Sequence, residues 1–121
     1  MKEFYLWDLM DSREILIPFK KSIIVGRGIQ CNYRTLIRFD TIALEQFNLQ
    51  HCEDDDLFLT NFDSRVSIYT GTAEEPFLNE IVNRERVHLG DYLTVGQNYQ
   101  FRILSEKDFS KMSEDGILGR T

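Results

Sequence analysis

The chain has 121 residues, of which 42% are hydrophobic, 12% aromatic and 28% charged; that is enough for one domain with a real core, and too apolar for a disordered chain. Twenty Asp and Glu against fourteen Lys and Arg leave a formal net charge of −6, which argues against a sequence-independent grip on nucleic acid and against an anionic membrane surface. No apolar run approaches the roughly 20 residues of a membrane-spanning helix, and residues 1–10, with Glu3 and Asp8 among them, lack the form of a secretory signal.

Short β-rich runs separated by polar or Gly-containing turns dominate the chain. Residues 3–10 and 13–19 form two runs joined at Asp11-Ser12, a pair suited to a tight turn. In the first run Phe4 and Leu6 share one face, while Tyr5, Trp7 and Leu9 share the other. In the second, Ile15, Ile17 and Phe19 oppose Leu16 and Pro18. One layer of a sandwich buries one face only. Apolar side chains on both faces predict cover from the 71–86 connection through Phe77, Leu78 and Ile81, or contact with another molecule. The contact is the favoured outcome, as a symmetric homodimer anchored on Trp7 with Tyr5, Leu9, Leu16 and Pro18 around it.

Residues 22–26 make a third run, and 35–39 a weaker one. Residues 46–52 alternate, with Phe47 and Leu49 on one face and Asn48 and Gln50 on the other. The acidic run Glu53, Asp54, Asp55 and Asp56 then forms the tip of a hairpin that resumes at 57–60. Runs at 66–70, 87–89, 92–95 and 99–104 complete the set, with Gly90-Asp91 and Gly96-Gln97-Asn98 as punctuation. Residues 78–86 are the one segment expected to make a helical turn. About ten short strands with turns every 8–12 residues indicate an all-β sandwich or barrel. Residues 1–104 make the domain, and 105–121 lose the alternation and are expected as a polar tail or linker.

The side chains that carry chemistry are few. Cys31 and Cys52 suit reduced, intracellular thiols. With His51 and His88 they show no zinc-ligand spacing. No Gly-x-Ser-x-Gly and no phosphate-cradling Gly-rich loop occurs. The acidic run lacks the ligand spacing of a calcium loop. The expectation is a protein that is not an enzyme and has no catalytic residue, no metal and no cofactor.

Two stretches resemble the forkhead-associated (FHA) domain family. The first is Ile23-Ile24-Val25-Gly26-Arg27, similar to that family's strand ending in Gly-Arg. The second is Val87-His88-Leu89-Gly90-Asp91-Tyr92-Leu93-Thr94-Val95-Gly96 with the strand that follows, similar to its closing Leu-x-x-Gly-Asp-x-Ile-x-Ile-Gly. The resemblance spans residues 3–104 and implies a two-layer antiparallel β-sandwich of about eleven strands that binds phosphothreonine peptides through loops at one end. It further implies a non-catalytic interaction module of an intracellular scaffold, of the DNA-damage mediator type, hence nuclear and in DNA repair or chromatin signalling. Its partner would be a second copy or a protein in phosphorylated form.

The ligand loops depart from the family pattern. Arg27 matches its Gly-Arg arginine. Where a Ser-Arg-x-His motif is expected, the chain has Ala43-Leu44-Glu45-Gln46: a methyl for the hydroxyl, Leu44 for the basic neighbour, Gln46 for the bracing histidine. In the second loop Ser64 matches, and Arg65 stands where a threonine often contacts phosphate. Val66 replaces the asparagine that bonds the peptide backbone, and Ser67 the glycine. A hydrogen bond to a charged group is worth about 1.5–3 kcal/mol. Losing two such donors takes a micromolar interaction of about −8 kcal/mol to millimolar or nothing. The site is therefore either vestigial or rewired on Arg27 and Arg65.

Overall fold

A computed structural model describes residues 3–11, 16–36, 41–52 and 56–114. These contain eleven strands and one helix: β1 (Phe4–Asp8), β2 (Leu16–Phe19), β3 (Ser22–Gly26), β4 (Tyr33–Arg34), β5 (Phe47–His51), β6 (Leu57–Asn61), β7 (Ile68–Gly71), β8 (Asn79–Glu80), β9 (Arg84–Val87), β10 (Tyr92–Val95), β11 (Tyr99–Ser105) and α1 (Glu106–Glu114). The strands form two sheets, one of six in the order β2-β1-β11-β10-β7-β8 and one of five in the order β4-β3-β5-β6-β9. All pairings are antiparallel except the short β3–β4 ladder. This is the expected two-layer sandwich. The barrel alternative does not form, because each sheet keeps two edges.

Alternation decides what each strand buries. Phe4 and Leu6 of β1 point inward with Ile103 and Phe101 of β11 and Leu93 and Val95 of β10. The facing sheet contributes Ile23 and Val25, Phe47 and Leu49, and Leu57 and Leu59. Phe47 and Phe101 meet across the layers edge to face, 5.7 Å between centroids. His51 also faces inward and stands edge-on to Phe4 at 4.7 Å.

One inward position of β1 is a carboxylate. Asp8 is fully buried, and its Oδ2 accepts the hydroxyls of Tyr33 and Tyr99, each at 2.5 Å. Its Oδ1 accepts the Met10 N–H at 2.9 Å. A buried charge persists only where donors replace its water. Tyr33 is on the five-stranded sheet and Tyr99 on the six-stranded one, so this cluster ties the layers together.

Several expected elements are corrected. Residues 78–86 make no helical turn but form β8 and β9, with Tyr69 and Thr70 pairing Glu80 and Asn79. The weak run at 35–39 is displaced to β4, and its residues 37–39 lie outside the described residues. So do Ser12 of the first turn, Ile15 of the second run, and Glu53, Asp54 and Asp55 of the hairpin tip. The expected polar tail starts as α1, which packs on β1 and β11. Ser105 caps it: the Asp108 N–H donates to Ser105 Oγ at 3.1 Å, and Asp108 Oδ2 accepts the Ser105 hydroxyl at 3.0 Å.

Candidate ligand loops and exposed sheet face

β3, β5 and β6 bring Gly26, Phe47 and Asn61 to one end of the sandwich. The β3–β4, β4–β5 and β6–β7 loops and the β10–β11 turn leave from that end. Gly26 is obligatory there: a Cβ on it would stand 2.3 Å from the Leu44 carbonyl oxygen. The close approach lets the loops bond as an extension of the sheet. The N–H of Arg27 donates to Ala43 O at 3.0 Å, and that of Gly28 to Leu44 O at 2.9 Å. Arg27 Nε donates to the Ile42 carbonyl. Arg27 is thus half-buried, with its side chain holding the β4–β5 loop.

Gln46 joins this loop to the next. It is fully buried; its Oε1 accepts the Ala43 N–H at 2.8 Å, and its Nε2 donates to Asn61 Oδ1 at 3.0 Å and Asp63 O at 3.3 Å. The exchange read as loss of a bracing histidine therefore keeps the bracing. Asn61 continues the chain of bonds: its Oδ1 accepts the Asp63 N–H at 3.1 Å and its Nδ2 donates to Val66 O at 3.0 Å. The sequence assigned Asn61 and Asp63 no role. Their signal is the Asn-x-Asp-x pattern of a side-chain-bonded turn.

Arg65 is taken by Asp63. Its Nε and a terminal nitrogen donate to the two carboxylate oxygens at 3.0 and 2.7 Å. This pairing, with the Arg65 backbone N–H, holds the Asp63 carboxyl down at about 2. The Arg65 side chain remains 88% exposed. Arg65, Val66, Ser67, Thr41, Gly96 and Gln97 line an open depression of about 420 Å³. Ser64 is exposed beside it. The structure thus gathers Arg27, Ala43, Gln46, Ser64, Arg65, Val66 and Ser67 at one end.

The second group lies on the outer face of the six-stranded sheet. Tyr5 stands opposite Pro18, and Trp7 opposite Leu16. Beyond Trp7 the row continues to Arg102 and Tyr92, with the Arg102 guanidinium over the Tyr92 ring at 5.1 Å. Tyr5, Trp7, Leu9 and Leu16 are half-buried and Pro18 is exposed. Leu9 lies past the strand end, where its N–H bonds Gln100 O at 3.0 Å. Of the cover expected from the 71–86 connection, Ile81 enters the core. Phe77 stands edge-on to Tyr69 and stays 54% exposed, and Leu78 is 56% exposed.

No protein-family model and no curated protein matches the chain. Solved structures match it in fold. The FHA domain of the CT664 protein from Chlamydia trachomatis superposes with a TM-score of 0.68 at 15% identity, over 84% of this chain and 96% of that one. The N-terminal FHA domain from S. cerevisiae Rad53p, in complex with a phosphothreonine peptide, gives 0.67 at 13% identity over 89% and 97%. The FhaA FHA domain, complexed with the intracellular domain of Rv3910, gives 0.66 at 13% identity over 83% and 98%. The chain has the FHA-type sandwich fold. Among the described residues no helix is long and apolar enough to cross a membrane, and no three His, Cys, Asp or Glu side chains converge on a metal position.

Proposed function

We propose that the chain is a non-catalytic protein-interaction module that pairs with a second copy of itself through the outer face of the β1–β2 hairpin, its loop end no longer taking phosphothreonine. The observation that carries this reading is the side-by-side placement of Tyr5, Trp7, Leu16 and Pro18 on one outward face. Burying one large apolar side chain contributes about 1.5–3 kcal/mol. A two-fold axis counts each such residue twice, against the entropy lost on association. At the loop end Ala43 and Val66 stand where a phosphate ligand needs donors, while Arg27 and Arg65 already serve Ile42 O and Asp63. The neighbours in fold include a domain solved in complex with a phosphothreonine peptide. The resemblance to FHA domains of DNA-damage mediators, the mutator-2 chromatin protein among them, supports an adaptor in DNA-damage or chromatin signalling inside the nucleus. The module is then the two sheets together with α1, which packs on β1 and β11. Light scattering of the full chain tests the pairing. The expected mass is that of two chains; the mass of one at high micromolar concentration refutes it.

The exposure of Arg65 at the rim of the depression favours a second reading, a phosphopeptide reader rewired on Arg27 and Arg65. A phosphate would then displace Asp63 from the guanidinium. Titration with a phosphothreonine peptide library separates the two. The first reading expects no isotherm at tens of micromolar. A low-micromolar one, lost on dephosphorylation and on Arg27→Ala, establishes the second.

A further inference from the structure

Seven large hydrophobic side chains stand exposed among the described residues, and three of them share the loop end: Ile29 at 84%, Leu44 at 57% and Phe62 at 48%. They come from three different loops that hydrogen bonds hold side by side. The Leu44 carbonyl accepts the Gly28 N–H at 2.9 Å and the Cys31 thiol at 3.0 Å, which brackets Ile29. The Phe62 N–H donates to Gln46 O at 2.9 Å, which sets Phe62 beside the Leu44 loop. These bonds set the three loops side by side, so three exposed apolar side chains share one end of the sandwich on a braced backbone.

The surrounding charge indicates what would sit there. The described residues of these loops and of β4 carry Arg27, Arg34 and Arg65 against Glu45 and Asp63, in a chain whose formal net charge is −6. Arg34 is exposed and engages the Arg27 carbonyl through Nε alone, at 3.4 Å. A phosphate dianion asks for several converging donors. A carboxylate is satisfied by one guanidinium. We propose that this surface docks an unphosphorylated segment of a partner protein, a large apolar side chain seated on Ile29, Leu44 and Phe62 and a neighbouring Asp or Glu on Arg34. The inference rests on the chain being an interaction module whose loops have lost phosphothreonine, and it is independent of whether the chain dimerises.

The test is a phage-displayed library of 12-residue peptides, which carry no phosphate, panned on the full chain and on its Leu44→Glu variant. Enriched peptides should pair a large apolar residue with an adjacent acid. Synthetic copies should bind the wild type at least about ten-fold more tightly than Leu44→Glu or Ile29→Glu. Both positions are exposed, so the variants should keep the wild-type amide spectrum. Peptide-induced amide shifts should fall on residues 27–32, 43–46 and 61–67. Enrichment equal on wild type and variant overturns the proposal. So do shifts confined to the face of Tyr5 and Trp7. A phosphothreonine peptide that binds this end ten-fold more tightly than its unphosphorylated twin overturns both it and the loss of phosphothreonine recognition. A monomer that still binds the peptides refutes only the pairing.

Discussion

The amide of Gln46 touches three parts of the loop end at once: the Ala43 N–H, the Asn61 side chain and the Asp63 carbonyl. From the sequence it stood only where a histidine was expected, because its partners Asn61 and Asp63 lie 15 and 17 residues away and no local pattern joins them. What was legible at this scale was residue identity. Arg27, Ser64 and Arg65 do gather with Ala43 and Val66, but the saturation of Arg65 by its neighbour but one was not foreseen. Two outcomes follow. Gln46→Ala leaves buried donors and acceptors unmatched, so it should cost about 2–3 kcal/mol, seen as a lower urea midpoint at unchanged slope. Arg65→Ala removes the guanidinium that holds Asp63 at about 2. The carboxyl should rise toward about 3.9, the ordinary aspartate value, without reaching it, because the backbone N–H of residue 65 still donates to Asp63 Oδ1; a carbon-detected NMR titration records the rise. A carboxyl that stays near 2 would mean that backbone bonding alone sets it.

The β1–β2 hairpin shows the two-residue period at its most legible. Phe4 and Leu6 are inward and buried, Tyr5 and Trp7 outward, and β2 follows suit, as the alternation requires. If its outer face is the dimer surface, Trp7→Arg should reduce the light-scattering mass to one chain while the circular dichroism of the sandwich persists. A dimer that survives the substitution places the interface elsewhere, with the 71–86 connection next in line. Two other elements were not legible. β8 is two residues long, and its pairing is set by Tyr69 and Thr70 rather than by its own sequence. α1 begins directly from β11 with no turn residue between, so the loss of alternation resembled fraying. The signal that was there is Ser105-x-x-Asp108, the side-chain box that caps a helix. Ser105→Ala should therefore cost about 1 kcal/mol of helix stability, measured as faster hydrogen exchange of the α1 amides.

At the scale of the molecule, strand spacing and two family-like stretches sufficed for a two-layer sandwich; each strand's buried face follows from its own period, whereas the order of the strands in the sheets does not. The link between layers at the loop end did not follow. Asp8, Tyr33 and Tyr99 are far apart in sequence, and each alone suits an exposed position. Together they make a buried carboxylate with two phenol donors. Burial, and then the bond to Asp8, raises both phenol pKa values in the folded state. In the unfolded chain a tyrosine ionises near about 10. Between that value and the raised folded one, the unfolded state binds fewer protons than the native state, so stability falls as pH rises. The contribution is fully present below about pH 10 and is lost above it. Urea unfolding at a series of alkaline pH values should show the decline, with absorbance near 295 nm tracking phenolate formation together with unfolding rather than before it. Tyr33→Phe keeps the ring and removes one ionisable phenol. Its midpoint should be lower than that of the wild type at pH 8, with a shallower fall above about pH 10. A wild-type midpoint that holds through about pH 11 would show that the two phenols ionise in the folded chain as freely as in water.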